Sequence, residues 1–101
     1  MKIYCKYNEE YDRFLKRLVE YVLHKYGSEL DITGVKEIEL VKEIKGFRES
    51  DGRYIAQDNK ILLAERKYKE LPCLDIKDLE GTESFESAVS TLYHEMGHAT
   101  D

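Results

Sequence analysis

The stretch Phe85-Glu-Ser-Ala-Val-Ser-Thr-Leu-Tyr-His-Glu-Met-Gly-His-Ala-Thr100 has a clear helical periodicity. At 100° per residue, its apolar side chains fall within about 100° of arc, which predicts an amphipathic helix with one buried face. The buried set is Phe85, Ala88, Val89, Leu92, Met96 and Ala99. Polar side chains gather on the opposite side, namely Ser87, Thr91, His94, His98 and Asp101. The sequence therefore predicts a helix that begins near Phe85, after a cap at Thr82 or Ser84, and turns two histidines away from the core.

Within this helix, residues 94–98 read His-Glu-Met-Gly-His, the pattern H-E-x-x-H. Residues four apart lie one above the other on a helix, so both imidazoles can bind one Zn²⁺ at about 2.0–2.1 Å. Glu95 then stands beside the metal, where it can take a proton from zinc-bound water whose pKa the metal lowers to about 7. The alternative interpretation is a pair of solvated surface histidines. Gly97 costs about 1 kcal/mol of helix propensity relative to alanine, which suggests close approach of another backbone there.

The upstream sequence predicts the rest of the fold. Apolar residues recur with helical spacing over residues 9–26, and Gly27 follows as the residue after the helix end. Partial alternation predicts a strand within residues 35–44, and residues 53–56 and 60–64 predict a hairpin around the turn at residues 57–59. The expected fold class is α+β. It comprises an N-terminal helix, a small sheet of three to four strands that includes the hairpin, and a C-terminal helix, in a single domain over residues 1–101.

Length, charge and cysteine content narrow the function classes. The chain has 101 residues and a net charge of −5, with no basic cluster, so we do not expect nucleic acid as a partner. Its longest apolar run, residues 61–64, is far shorter than the ~20 residues that span a bilayer, and no signal peptide is visible. Two cysteines make no disulfide framework. We therefore expect a reduced, cytoplasmic protein without a membrane partner.

An H-E-x-x-H helix that follows a strand hairpin resembles the zincin metallopeptidases. Residues 85–100, with Ile61-Leu62-Leu63 some thirty residues upstream, resemble more specifically the zincin-like domain of ArdC-type antirestriction proteins and phage polyvalent proteins. They are also similar to the minigluzincins and to ImmA/IrrE-type peptidases. The resemblance covers about residues 53–101. It implies zinc bound by His94 and His98, Glu95 as general base, and a substrate peptide that adds to the hairpin strand Ile61, Leu62, Leu63 and Ala64.

The resemblance also implies a third protein ligand downstream of the motif, and here the sequence stops at Asp101. We therefore expect a truncated zincin-like domain that lacks this segment, as a fragment or with an incomplete site. Asp101 is one candidate ligand, although a metal midway between the histidines would lie roughly 7–8 Å from it along the helix axis. The thiolate of Cys73 is the other candidate, and its alternative role is that of a small buried apolar side chain.

Two functions are expected from these features. The first is a zinc metallopeptidase of the cytoplasm that cleaves a peptide or protein substrate, with Glu95 as general base, if a third ligand is supplied. The alternative is a catalytically silent truncated zincin that serves as a protein-interaction module of phage or plasmid type. A homo-oligomer, in which a second subunit supplies the ligand, is a further open alternative.

Overall fold

The computed structural model describes residues 1–46, 50–73 and 75–100, without the side chain of Cys73. Its elements in chain order are β1 (Lys2–Tyr4), α1 (Glu9–Tyr26), β2 (Glu37–Val41), β3 (Gly52–Ile55), β4 (Lys60–Ala64), the short α2 (Ile76–Leu79) and α3 (Glu83–Thr100). The α+β class is confirmed, with an N-terminal helix, a four-stranded mixed sheet and a C-terminal helix.

The four strands lie in the order β1-β2-β4-β3. β1 and β4 both pair with β2 in parallel, whereas β3 runs antiparallel to β4. The hairpin between β3 and β4 turns at Asn59, whose φ of 51° is left-handed, a conformation that asparagine tolerates better than most residues. The predicted hairpin is therefore confirmed, and β3 forms one edge of the sheet.

Helix α1 spans the predicted residues. Asn8 caps its first turn, because its side chain accepts a hydrogen bond from the Tyr11 amide at 3.0 Å. Its buried face consists of Phe14, Leu15, Leu18, Val19 and Val22. At the other end Gly27 has an ordinary right-handed φ of −60°, so this helix end does not need the freedom of glycine.

Helix α3 begins two residues before the predicted position. The hydroxyl of Thr82 accepts a hydrogen bond from the Phe85 amide at 3.3 Å, which confirms Thr82 rather than Ser84 as the cap. The predicted buried face is confirmed for Phe85, Ala88, Val89, Leu92 and Met96, while Ala99 is half-buried.

Helices α1 and α3 pack against each other and against the sheet. The strand residues that share this core are Ile38, Leu40, Ile61 and Leu63, all fully buried. Among the described residues, no helix has both the length and the apolar character that crossing a bilayer requires.

Tyr68, which follows β4, carries an unusual polar atom into this core. Its ring is fully buried and packs edge-on against Phe14, with ring centroids 6.1 Å apart. Its hydroxyl has no hydrogen-bond partner among the residues that the structure describes. A buried hydroxyl that gives up water without a replacement partner lowers stability.

We therefore expect Tyr68→Phe to leave the free energy of unfolding unchanged or to raise it by up to about 1 kcal/mol, because only an unpaired hydroxyl is removed. Tyr68→Ala is the control, and it should cost about 3–5 kcal/mol through the cavity it leaves. Urea unfolding followed by circular dichroism measures both. A loss above about 1 kcal/mol in Tyr68→Phe would show that the hydroxyl has a partner after all.

Candidate metal centre

The two histidines of the motif approach each other through their ring nitrogens. The Nε2 atoms of His94 and His98 lie 3.0 Å apart, and both side chains are at least partly exposed. Two nitrogens bound to one tetrahedral zinc ion at 2.0–2.1 Å are separated by about 3.3 Å. The separation is close to that of two zinc-bound nitrogens, and it is also the distance of a hydrogen bond between the two rings.

Glu95 lies between these histidines in sequence but differs from them in exposure. Its side chain is only 6% exposed, and no hydrogen bond or ion pair satisfies its carboxylate among the described residues. The carboxylate itself lines the open space between α3 and β3, so water can reach it. At 100° per residue, Glu95 lies about 20° outside the apolar arc of α3, at the border between its buried and exposed faces.

The backbone of β3 covers Glu95 at Gly52. A Cβ atom placed on Gly52 would lie 3.0 Å from Glu95 Cγ, 3.0 Å from Thr91 Cγ2 and 3.4 Å from Glu95 Oε2. Contacts as short as 3.0 Å are closer than real Cβ atoms ordinarily make, so glycine is what permits this approach. Neither Gly52 nor the packing role of Thr91 was evident from the sequence. The available signal was a glycine at the beginning of a predicted strand, which often marks close backbone approach.

Gly97 does not have the role that its position suggested. No atom lies within 4 Å of the place where its Cβ would be. The expected close approach of another backbone at this residue is therefore wrong, and the approach occurs at Gly52 instead.

A cleft runs between α3 and β3, in two adjoining parts. The part beside His98 has a volume of about 570 Å³ and is lined by Gly52, Arg53, Tyr54, Ala56, His94, Glu95 and His98. The other part, of about 360 Å³, is lined by Ser50, Asp51, Gly52, Ser90, Thr91, His94 and Glu95. The histidines and Glu95 thus face an open groove whose other wall is the edge strand.

The position of the sheet edge corrects the predicted substrate strand. Ile61, Leu62, Leu63 and Ala64 belong to β4, which pairs with β2 on one side and with β3 on the other. Both sets of backbone groups are therefore occupied, and β4 offers no edge to a peptide. The edge beside α3 belongs to β3, which pairs only with β4 among the described residues.

Both candidates for a third ligand lie outside the described part of the chain, namely Asp101 and the side chain of Cys73. Among the residues that are described, no group of three His, Cys, Asp or Glu side chains is arranged to hold a metal ion. The remaining histidine, His24, is exposed near the end of α1, and the free thiol of Cys5 is buried just after β1.

Comparisons with protein-family models, with curated proteins and with solved structures find no match to this chain. The geometry of the site and the H-E-x-x-H motif are therefore the basis for assigning a function.

Alanine substitutions at Gly52 and Gly97 distinguish the effect of close packing on stability from the effect of helix propensity. We expect Gly52→Ala to lower the free energy of unfolding by about 1–3 kcal/mol, because the new methyl group displaces Glu95 or Thr91. Gly97→Ala is the matched control, and it should raise that free energy by up to about 1 kcal/mol, since alanine favours helix and the site has room. Chemical denaturation measures both. Equal effects of the two substitutions would contradict the packing described for Gly52.

Proposed function

We propose that this chain is a zinc-dependent metallopeptidase domain of the zincin type. The observation that carries the proposal is the approach of two imidazole nitrogens, 3.0 Å apart, in a cleft that the side chain of Glu95 also lines. These three groups come from one helix, and an edge strand forms the other wall of the cleft. The arrangement suits hydrolysis of an extended peptide.

His94 and His98 would hold the metal through their Nε2 atoms, and a third ligand would come from outside the described residues. When bound, zinc supplies Lewis acidity that lowers the pKa of water and polarises a carbonyl group. Because the two imidazoles stand on consecutive turns of one helix, the backbone of α3 fixes their separation. This rigidity lowers the cost of ordering the side chains when the site is filled.

Glu95 is the residue that moves the proton. Its carboxylate accepts a proton from the attacking water and then donates it to the leaving amine nitrogen. Contact with Gly52 holds the side chain in the cleft and excludes water from one side of it. A base that is already oriented needs less rearrangement during the reaction.

The substrate would bind as an added strand. β3 offers its outer backbone edge along the cleft, so an extended peptide can pair with it while its scissile bond lies over α3. Main-chain hydrogen bonds of this kind select extended conformation rather than a particular side chain. Unfolded segments are therefore the substrate class that this edge fits.

The second candidate is a catalytically silent interaction module of phage or plasmid type. The observation that favours it is the same edge, because β3 can pair with an extended partner segment whether or not a metal is held. Such a module would bind peptides without cleaving them, which separates the two candidates by experiment.

Zinc titration tests the metal site. We expect one zinc ion to bind with roughly micromolar affinity, weaker than a complete site, because the described residues bring two imidazoles together. His94→Ala and His98→Ala should abolish the binding. His24→Ala is the matched control, since this histidine is also exposed but lies on α1, and it should bind zinc as the wild type does. Isothermal titration calorimetry measures all four proteins.

Unchanged zinc binding in His94→Ala would remove the proposed site. Nanomolar affinity in the wild type would show instead that the chain supplies a further ligand.

Hydrolysis tests the role of Glu95. With zinc present, any cleavage of an unfolded protein should stop when a chelator is added. We expect Glu95→Gln to keep the zinc affinity of the wild type but to lower the cleavage rate by at least about 100-fold, because the amide cannot take the proton. Gel electrophoresis of the digested protein measures the rate. Peptide binding without cleavage would favour the interaction module, and equal cleavage by Glu95→Gln would exclude this residue as the base.

A further inference from the structure

Asp51 anchors the beginning of β3 through both of its carboxylate oxygens. Oδ1 accepts a hydrogen bond from Arg66 Nε, and Oδ2 lies 3.5 Å from Lys67 Nζ. Both cations belong to the short turn after β4. The backbone carbonyl of Asp51 also accepts a hydrogen bond from the Ala64 amide at 2.9 Å. The residue that directly precedes Gly52 is therefore fixed by its side chain and by its main chain.

Lys67 extends this anchor to the helix. Its ammonium group donates a hydrogen bond to the hydroxyl of Ser87, on α3, at 2.9 Å. Ser87, Thr91 and Glu95 are spaced by four residues and so lie along one face of the helix. The hydroxyl of Thr91 in turn donates to the backbone carbonyl of Ser87 at 3.0 Å. A continuous path of contacts thus runs from Asp51 through Lys67 to the helix face that carries Glu95.

We infer that Asp51 is a positioning residue for Glu95. By tying the start of β3 to Lys67, and through Lys67 to Ser87, it holds the backbone of Gly52 against the side chains of Thr91 and Glu95. In the proposed function, this restraint would keep the general base Glu95 in place. Only that catalytic role rests on the proposed function. The contact itself can be tested without metal or substrate.

The charge arrangement supports this role over that of an ordinary surface ion pair. The side chain of Asp51 is only 30% exposed, and it faces two cations, one of which also contacts α3. Isolated exposed pairs contribute little, whereas a shared, half-buried carboxylate restricts the geometry of several elements together. Without it, the beginning of β3 would keep its backbone contacts and the hydrogen bond that the Ser50 hydroxyl donates to the Gly52 carbonyl at 2.6 Å.

The test measures the accessibility of individual carboxylates. Metal-free protein is treated with a water-soluble carbodiimide and glycinamide, and the coupling rate at each carboxylate is read by peptide mass spectrometry. We expect Asp51→Asn and Lys67→Met each to raise the coupling rate of Glu95 by about three- to ten-fold, because β3 opens locally from α3. Lys67→Arg keeps the positive charge and should leave that rate within about two-fold of the wild type.

Glu39 provides an internal reference for global destabilisation. It is the other buried carboxylate among the described residues, 8% exposed, and it is held on β2 by Lys60 Nζ at 2.7 Å and by the Tyr4 hydroxyl at 3.1 Å. A substitution that merely loosens the whole fold raises the coupling of Glu39 together with that of Glu95. The inference requires that Glu95 respond alone.

Asp12→Asn is the matched control variant. Asp12 also holds a lysine, Lys16 at 2.6 Å, and a backbone amide, that of Cys5 at 2.8 Å, but it lies on α1 away from the cleft. We expect it to leave the coupling rate of Glu95 unchanged. In wild-type protein, nuclear Overhauser contacts should also join the Hα protons of Gly52 to the Hγ protons of Glu95, and they should weaken in Asp51→Asn and Lys67→Met.

Unchanged coupling of Glu95 in both Asp51→Asn and Lys67→Met, or a parallel rise at Glu39, would overturn the inference. Neither result would alter zinc binding by His94 and His98, so a failure here is distinct from a failure of the proposed function. Conversely, if the proposed zinc site proved wrong, the effect of Asp51 on the coupling rate of Glu95 could still be measured.

Discussion

The contact between the backbone of Gly52 and the side chains of Thr91 and Glu95 is the constraint on which the candidate site depends. It brings an edge strand within van der Waals distance of the helix that carries both histidines. If β3 lay farther from α3, the side chain of Glu95 would lose its contact with Gly52 and the groove would lose one wall. The buried face of α3 fixes one side of this contact, and pairing with β4 fixes the other. Core packing thereby determines the geometry of an exposed site.

Sequence periodicity was sufficient for the elements that have long, one-sided patterns. α1 and α3 follow from helical spacing, and the hairpin follows from two short apolar runs around a turn that Asn59 closes. β1 has only three residues, which is too short for a reliable alternation. The order of strands in the sheet was not predictable either. The parallel pairing of β2 with β4 joins segments that are distant in sequence, and this pairing moved the free edge from the predicted residues 61–64 to β3.

The candidate site also combines features that follow from the local sequence with features that depend on tertiary contacts. The positions of His94 and His98 follow from a spacing of four residues on a helix, which is local geometry. The helical wheel places Glu95 only at the border of the apolar face, and the strand that covers it lies about forty residues earlier in the sequence. Gly52 and Gly97 illustrate the difficulty, because both glycines lie in regular elements and only the first meets neighbouring atoms. Low helix or strand propensity marks both glycines as unusual in the sequence, and only the tertiary contacts show that Gly52 is required for close packing.

The open side of β3 also affects how the protein behaves at high concentration. Unpaired strand edges are the usual starting points of intermolecular sheet formation, and proteins limit that risk with short edges and charged side chains. β3 has four residues, and Arg53, near its middle, is exposed. These features disfavour stacking of one molecule on another, because a short strand offers few hydrogen bonds and an exposed charge is costly to cover. A short edge strand with an exposed arginine can thus pair with a bound peptide and still resist fibril growth.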